Sequence, residues 1–232
     1  MTETFADKWR FYGRRVGRRL NSARQDAIDD TYPLFQITDD LLKEDRSLSL
    51  EALFKAPKDK TIMEIGFGNG ERLAEMMRRY PDNNYIAAEA FINGVSAFLS
   101  EEGIQDRNLR VLADDAIPLV KSLESSTIDS LYILNPDPWH KTRHHKRRIV
   151  NDNNLKEFYR ILKPDGELIL STDVPDLAEW MIAHTVRHGG FEWQAQNRRE
   201  WIEPPEDWIP TRYETKGAKG AAQMHYFIFK RL

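Results

Sequence analysis

The 232-residue sequence contains no cysteine, which removes disulfides, thiolate catalysis, Cys-ligated zinc and Cys-held iron–sulfur clusters together. No stretch approaches the roughly 20 apolar residues needed to cross a bilayer. The start, MTETFADKWR, has no apolar segment ahead of a small-residue cleavage site. A soluble, cytoplasmic chain with no membrane partner is expected. Neither charge is in excess: 34 Lys+Arg against 37 Asp+Glu leave a net charge of -3. The chain is thus no wholesale polycation, and a nucleic-acid partner would need local patches. There is no internal repeat and no low-complexity tract. At roughly 150 residues per domain, the length suits one domain with an appendage.

The bases that are present cluster. Lys8, Arg10, Arg14, Arg15, Arg18, Arg19 and Arg24 are interleaved with Phe5, Trp9, Phe11 and Tyr12, and residues 1–34 are expected to form a basic N-terminal arm free to flex. From Lys60 onward short apolar runs alternate with amphipathic stretches, the pattern of βαβ units in an α/β domain with a mostly parallel sheet. The runs are TIMEI, NYIAA, LRVLA, IDSLYIL, ELILST and MHYFIF. Helices are predicted over Glu71–Tyr80, Phe91–Glu102, Asp115–Leu123, Asn151–Leu162 and Leu177–His188. Pro81-Asp82, Gly103 and the turn Lys163-Pro164-Asp165-Gly166 punctuate them. The last run follows Gly217 and Gly220, not a crossover helix, so it is expected to enter the sheet antiparallel.

Glu64-Ile65-Gly66-Phe67-Gly68-Asn69-Gly70 closes the first strand, where an open α/β sheet leaves its ligand crevice. Glycines at 66, 68 and 70 let the backbone approach a ligand and turn into the helix. A dinucleotide fingerprint would place its third glycine at 71, but Glu71 stands there and would oppose a diphosphate, which disfavours a nicotinamide dehydrogenase. Gly66, Gly68 and Gly70 behind the acid Glu64 resemble instead the cofactor turn of class I S-adenosylmethionine methyltransferases. That resemblance implies a Rossmann-like, seven-stranded sheet whose last strand is antiparallel. It also implies that Glu89, ending the second strand, accepts the ribose hydroxyls and that Asp115, after the third, lies against the adenine. Alone, any of these acids is as readily a helix cap or turn residue; three in register at successive strand ends argue for a site.

After the fourth strand come Asn135-Pro136-Asp137-Pro138-Trp139-His140-Lys141. The two prolines fix φ and restrict the residues before them, so Asp137 is presented rigidly at the strand mouth. Lys141, Arg143, Lys146, Arg147 and Arg148 follow with no acid before Asp152, an electrostatic footprint suited to phosphates. Elsewhere such a run would be a solvated face. His140, His144 and His145 amid these cations argue against a metal site. An amine-methylating [DNS]-P-P-[YFW] motif fails on spacing, because Asp137 separates the prolines. A non-catalytic RNA-binding protein on the same scaffold stays open.

Pro136 through Arg148 resembles the P-D-P-W-x-K-x-R-H-x-K-R-R pattern of the bacterial tRNA (guanine-N7)-methyltransferases of the TrmB type. Thr211-Arg212-Tyr213-Glu214, followed by Lys216, resembles that family's T-x-[FY]-E-x-[KR], and Ser171-Thr172-Asp173 its T-D. The resemblance spans residues 35–232, the predicted methyltransferase domain. It implies methyl transfer from S-adenosylmethionine to N7 of guanine 46 in the tRNA variable loop, by a monomer or homodimer. Glu64, Gly66, Gly68, Gly70, Glu89, Asp115 and Asp137 would line the cofactor site, and Asp137 would be catalytic. Lys141, Arg143, Asp173, Thr211, Arg212, Tyr213 and Glu214 would meet the target. Asn135 departs from the pattern, which often carries an aromatic residue there.

Overall fold

The computed structural model describes residues 12–101, 103–104, 107–216 and 223–232. Lys8, Arg10, Phe5, Trp9 and Phe11 of the arm, Glu102 of the predicted second helix, and Gly217 and Gly220 lie outside the described residues. Seven strands form one sheet: β1 (Lys60–Ile65), β2 (Asn83–Ala88), β3 (Leu109–Leu112), β4 (Ile128–Leu134), β5 (Leu162–Thr172), β6 (Phe191–Trp193) and β7 (His225–Arg231). Their order is β3-β2-β1-β4-β5-β7-β6. β1 through β5 pair parallel, and β7 runs antiparallel between β5 and β6.

Five helices cover the two faces: α1 (Glu71–Arg79), α2 (Ile92–Leu99), α3 (Ala116–Ser122), α4 (Asp152–Ile161) and α5 (Pro175–His188). The strands read as near-continuous apolar runs because both faces are covered. Met63, Tyr85, Ile86, Leu131, Leu168 and Phe227 are all fully buried.

The order of the sheet reverses at β1, which is flanked by β2 on one side and β4 on the other, and the crevice opens beyond the carboxyl ends of these strands. Three details depart from expectation. β6 has three residues, too few to show a period. The turn expected at Lys163–Gly166 lies inside β5 as an irregularity, where the pairing jumps from Ile128↔Leu162 to Ser130↔Glu167 and Asp165 takes φ 60°. The helix expected to reach Glu102 ends at Leu99.

Ahead of β1, helical turns Ser22–Asp26, Ala27–Thr31 and Tyr32–Phe35 lead to a segment whose Ile37, Leu42, Leu48, Leu53 and Phe54 enter the core.

Candidate active site

A cleft of about 1030 Å³ opens at the carboxyl ends of β1, β2 and β4, and Gly66, Glu89, Asp115, Asn135 and Asp137 all line it. The glycine turn has φ of 78°, 60° and 79° at Gly66, Gly68 and Gly70, values that L side chains adopt only under strain. A side chain at Gly66 or Gly68 would meet nothing within 4 Å, so the turn's backbone stands bare beside the cleft, whereas a Cβ at Gly70 would strike Phe98 at 2.3 Å. On α2, Gly94 performs the matching task, since its Cβ would come within 2.3 Å of the Gly68 carbonyl. Motif reading missed Gly94; a glycine within an otherwise apolar helix was the available signal.

Glu89 is fixed by the turn it serves. Its carboxylate accepts from the Gly68 N–H at 2.8 Å and from the Phe91 N–H at 2.8 Å. Burial pushes its pKa above the ordinary 4.5, the two backbone donors oppose that, and Asp137 adds repulsion. Asp115 caps α3 by accepting from the Ile117 N–H at 2.9 Å, and burial raises its pKa also. Glu89, Asp115 and Asp137 line the part of the cleft at the strand ends, while Lys121, Lys146, Arg147 and Lys156 also line the cleft.

Glu64 is different. It is buried, and its carboxylate accepts from Arg72 at 2.7 Å. The Arg72 guanidinium lies 4.2 Å from the Tyr132 ring and 5.4 Å from Trp208. Burial raises the Glu64 pKa and Arg72 opposes the rise. Glu64 thus braces the strand end under the glycine turn through an ion pair with α1.

The segment after β4 is a strained loop. Asn135 has φ 47° and Trp139 φ 48°, and each left-handed non-glycine residue costs on the order of 1–3 kcal/mol unless its surroundings hold it, with Asn the milder case. Between them Pro136 and Pro138 bracket the exposed Asp137. The Asn135 N–H donates to the Ser171 carbonyl at 2.9 Å, tying one end to β5. Downstream, Thr142–Arg147 forms a short 3-10 helix, and its charges divide. Lys141, Arg143 and Lys146 are exposed. Arg147 is sandwiched between the rings of Tyr12 at 4.4 Å and Trp139 at 5.1 Å. Arg148 is only 1% exposed, a correction to its expected place in the phosphate footprint: the apolar Ile149-Val150 pair after it enters the core region and draws it inward.

Of the remaining predicted substrate residues, the fold brings Asp173 and Tyr213 together, the Tyr213 hydroxyl donating to Asp173 at 2.9 Å. Thr211 and Glu214 form a capping box around the short helix Arg212–Thr215, and the Asn135 amide reaches Thr211 Oγ1 at 3.4 Å. Arg212 donates to Glu71 at 2.6 Å, so the acid at the start of α1 anchors this C-terminal element. Among the described residues no group of three or more His, Asp or Glu side chains converges as a metal site.

The arm's described part is docked. The Ile92 N–H donates to the Arg15 carbonyl at 3.0 Å, the Gly17 N–H to Asn93 Oδ1 at 2.7 Å, and Arg15 pairs with Asp114 at 2.7 Å. Tyr12 and Gly13 line the cleft beside these contacts.

Known proteins match both sequence and fold. The model of the Methyltransf_4 family, described as "Putative methyltransferase", matches residues 58–226. The tRNA (guanine-N(7)-)-methyltransferase of Agrobacterium fabrum is 38% identical over 224 residues, covering 95% of this chain and 94% of its own. That of Rhodospirillum rubrum is 36% identical over 234 residues, covering 100% of this chain and 91% of its own. Among solved structures, the 16S rRNA methyltransferase KamB superposes with a TM-score of 0.54 at 16% identity, over 75% of this chain and 88% of its own. A 16S rRNA (adenine(1408)-N(1))-methyltransferase from Catenulisporales acidiphilia, crystallised with its cosubstrate SAM, superposes with a TM-score of 0.51 at 12% identity, over 77% of this chain and 88% of its own. These structures establish the fold as that of the methyltransferases.

Proposed function

The chain belongs to the Methyltransf_4 family that includes the bacterial tRNA (guanine-N7)-methyltransferases, and from that premise we propose that it methylates N7 of guanine 46 in the tRNA variable loop. It is a methyltransferase, and the methyl donor we propose for it is S-adenosylmethionine. The observation that carries the proposal is the juxtaposition of the bare glycine turn and Glu89 with Asp137, whose charge is felt at Glu89.

The residues present fit the donor. The open space above Gly66 and Gly68, the anchored Glu89 carboxylate and the Asp115 and Asp137 carboxylates in the cleft suit a cationic nucleoside with ribose hydroxyls to donate. Glu89 would take the ribose and Asp115 the adenine side, while Glu64 supports the turn from beneath.

S-adenosylmethionine supplies an electrophilic sulfonium methyl, and guanine N7 supplies an in-plane lone pair that carries no proton. The chain therefore needs no general base. Its tasks are to hold the base in line and to stabilise the positive charge that appears on the guanine imidazole as it leaves the sulfur. Asp137, rigidly presented at the cleft mouth, is the carboxylate placed for the second task. Lys141 or Arg212 would donate to O6, leaving the N7 lone pair free for the methyl group, and Asp173 or Glu214 would accept from N1 and N2 on the opposite edge. Arg143 and Lys146 would meet phosphates.

Incubation of total tRNA with methyl-labelled donor should give N7-methylguanosine as the labelled nucleoside. Asp137→Ala should form it about 10²–10³ times more slowly while still binding S-adenosylhomocysteine. Label in an exocyclic N-methyl amine, or tRNA binding with no methyl incorporation, would sink the proposal.

A further inference from the structure

Five bases follow the P-D-P-W sequence, but the last of them turns away from solvent. We infer that Arg148 is a positioning residue for methyl transfer, gripping the strained turn that presents Asp137 and making no contact with RNA phosphate. The Arg148 side chain is 0% exposed. Its Nε donates to the Pro138 carbonyl at 3.0 Å, the peptide that lies between the carboxylate of Asp137 and the left-handed Trp139. Its Nη2 donates to Asp176, in the first turn of α5, and lies 3.1 Å from His145 Nε2. The guanidinium plane lies 4.9 Å from the Trp180 ring, also on α5, and the Trp180 indole donates to the Val150 carbonyl at 2.6 Å.

These contacts explain how the loop holds a conformation that its own residues disfavour. Asn135 and Trp139 are both left-handed, at φ 47° and 48°. The upstream end is tied by the Asn135 N–H to β5, and the downstream end is tied by Arg148 to α5. Prolines at 136 and 138 have no N–H of their own, so the Pro138 carbonyl is one of the few backbone groups in the turn that can take a side-chain tether. Lysine could keep the charge but offers no planar fork to bind carbonyl, carboxylate and imidazole together.

The role rests on the proposed methyl transfer, and its test separates the two. Arg148→Lys should lower kcat by about a hundredfold, the scale expected when a reacting group shifts by about 1 Å. The KM for tRNA, its salt dependence and the affinity for S-adenosylhomocysteine should stay as in the wild type. In the absence of tRNA, peptides spanning residues 137–147 should exchange amide hydrogen faster in the variant. A raised KM with a shallower salt dependence would make Arg148 a phosphate contact and overturn the inference, as would unchanged kcat and exchange. If Arg148→Lys does not fold, Asp176→Asn replaces it; Asp176 is 61% exposed, and the variant should show a smaller loss in kcat with KM unchanged, no loss again contradicting the role. A wild type that fails to methylate guanine would bring down the proposed function, leaving the exchange comparison to decide for or against Arg148.

Discussion

Glu89 carries the clearest consequence at the scale of single residues. Burial, with repulsion from Asp137, raises its pKa above the ordinary 4.5. In the ligand-free protein this contribution to stability is fully present below the unfolded value and is lost as pH rises through the folded one. Donor binding runs the other way, because ribose hydroxyls need the ionised carboxylate as acceptor. Affinity for S-adenosylhomocysteine should therefore hold at neutral pH and fall with acidification at a higher pH than an ordinary carboxylate would give. Titration calorimetry from neutral pH downward should show the fall in the wild type and a weaker one in Glu89→Gln. Identical profiles for the two would remove Glu89 from the site. Glu64 shows where residue reading stops: its acid character and position before the glycine turn were legible, but its partner Arg72 lies on another element, and no spacing rule announces an ion pair between a strand and the helix that follows it.

At the scale of elements, β1 to β5 and β7 were legible because burial on both faces leaves near-continuous apolar runs, and α1, α2, α4 and α5 because Pro or Gly stands shortly past their ends. β6 was not, since three residues carry no period, and the irregularity within β5 was hidden because Pro164-Asp165-Gly166 has the composition of a turn. The packing of α2 on the glycine turn was hidden also. Gly94 reads as a weak point in a helix, yet its missing Cβ lets α2 approach to where a methyl group would lie 2.3 Å from the Gly68 carbonyl. Gly94→Ala improves helix propensity by roughly 1 kcal/mol, so far-UV dichroism should be unchanged. Its collision is with backbone, so S-adenosylhomocysteine binding should weaken by about tenfold or more, equivalent to about 1.4 kcal/mol. Undiminished binding would show that the turn tolerates displacement.

The whole molecule resolves its own charge balance. A net charge of -3 hides a cleft edged by acids and a rim edged by bases, and the Tyr12–Arg147 contact brings the arm and the post-β4 segment to the same rim. Arg14, Arg18 and Arg19 are exposed on the arm, as are Lys141, Arg143 and Lys146 on the segment. The sequence showed both clusters; it did not show that Arg147 and Arg148 are withdrawn from the rim, because a run of like charges carries no sign of which members turn inward. The affinity for tRNA should fall steeply with salt, and Lys146→Ala should reduce the log–log slope by about 0.9, the value for one phosphate contact on a duplex. A salt-independent affinity would contradict this arrangement.

Mapping the product decides whether methylation falls on guanine N7 at one position of the variable loop. A tRNA transcript methylated by the protein should break at guanine 46 alone under cleavage specific for N7-methylguanosine, and a transcript carrying adenine there should take up no methyl group. Cleavage at another guanine, or methyl uptake by the substituted transcript, would contradict the account.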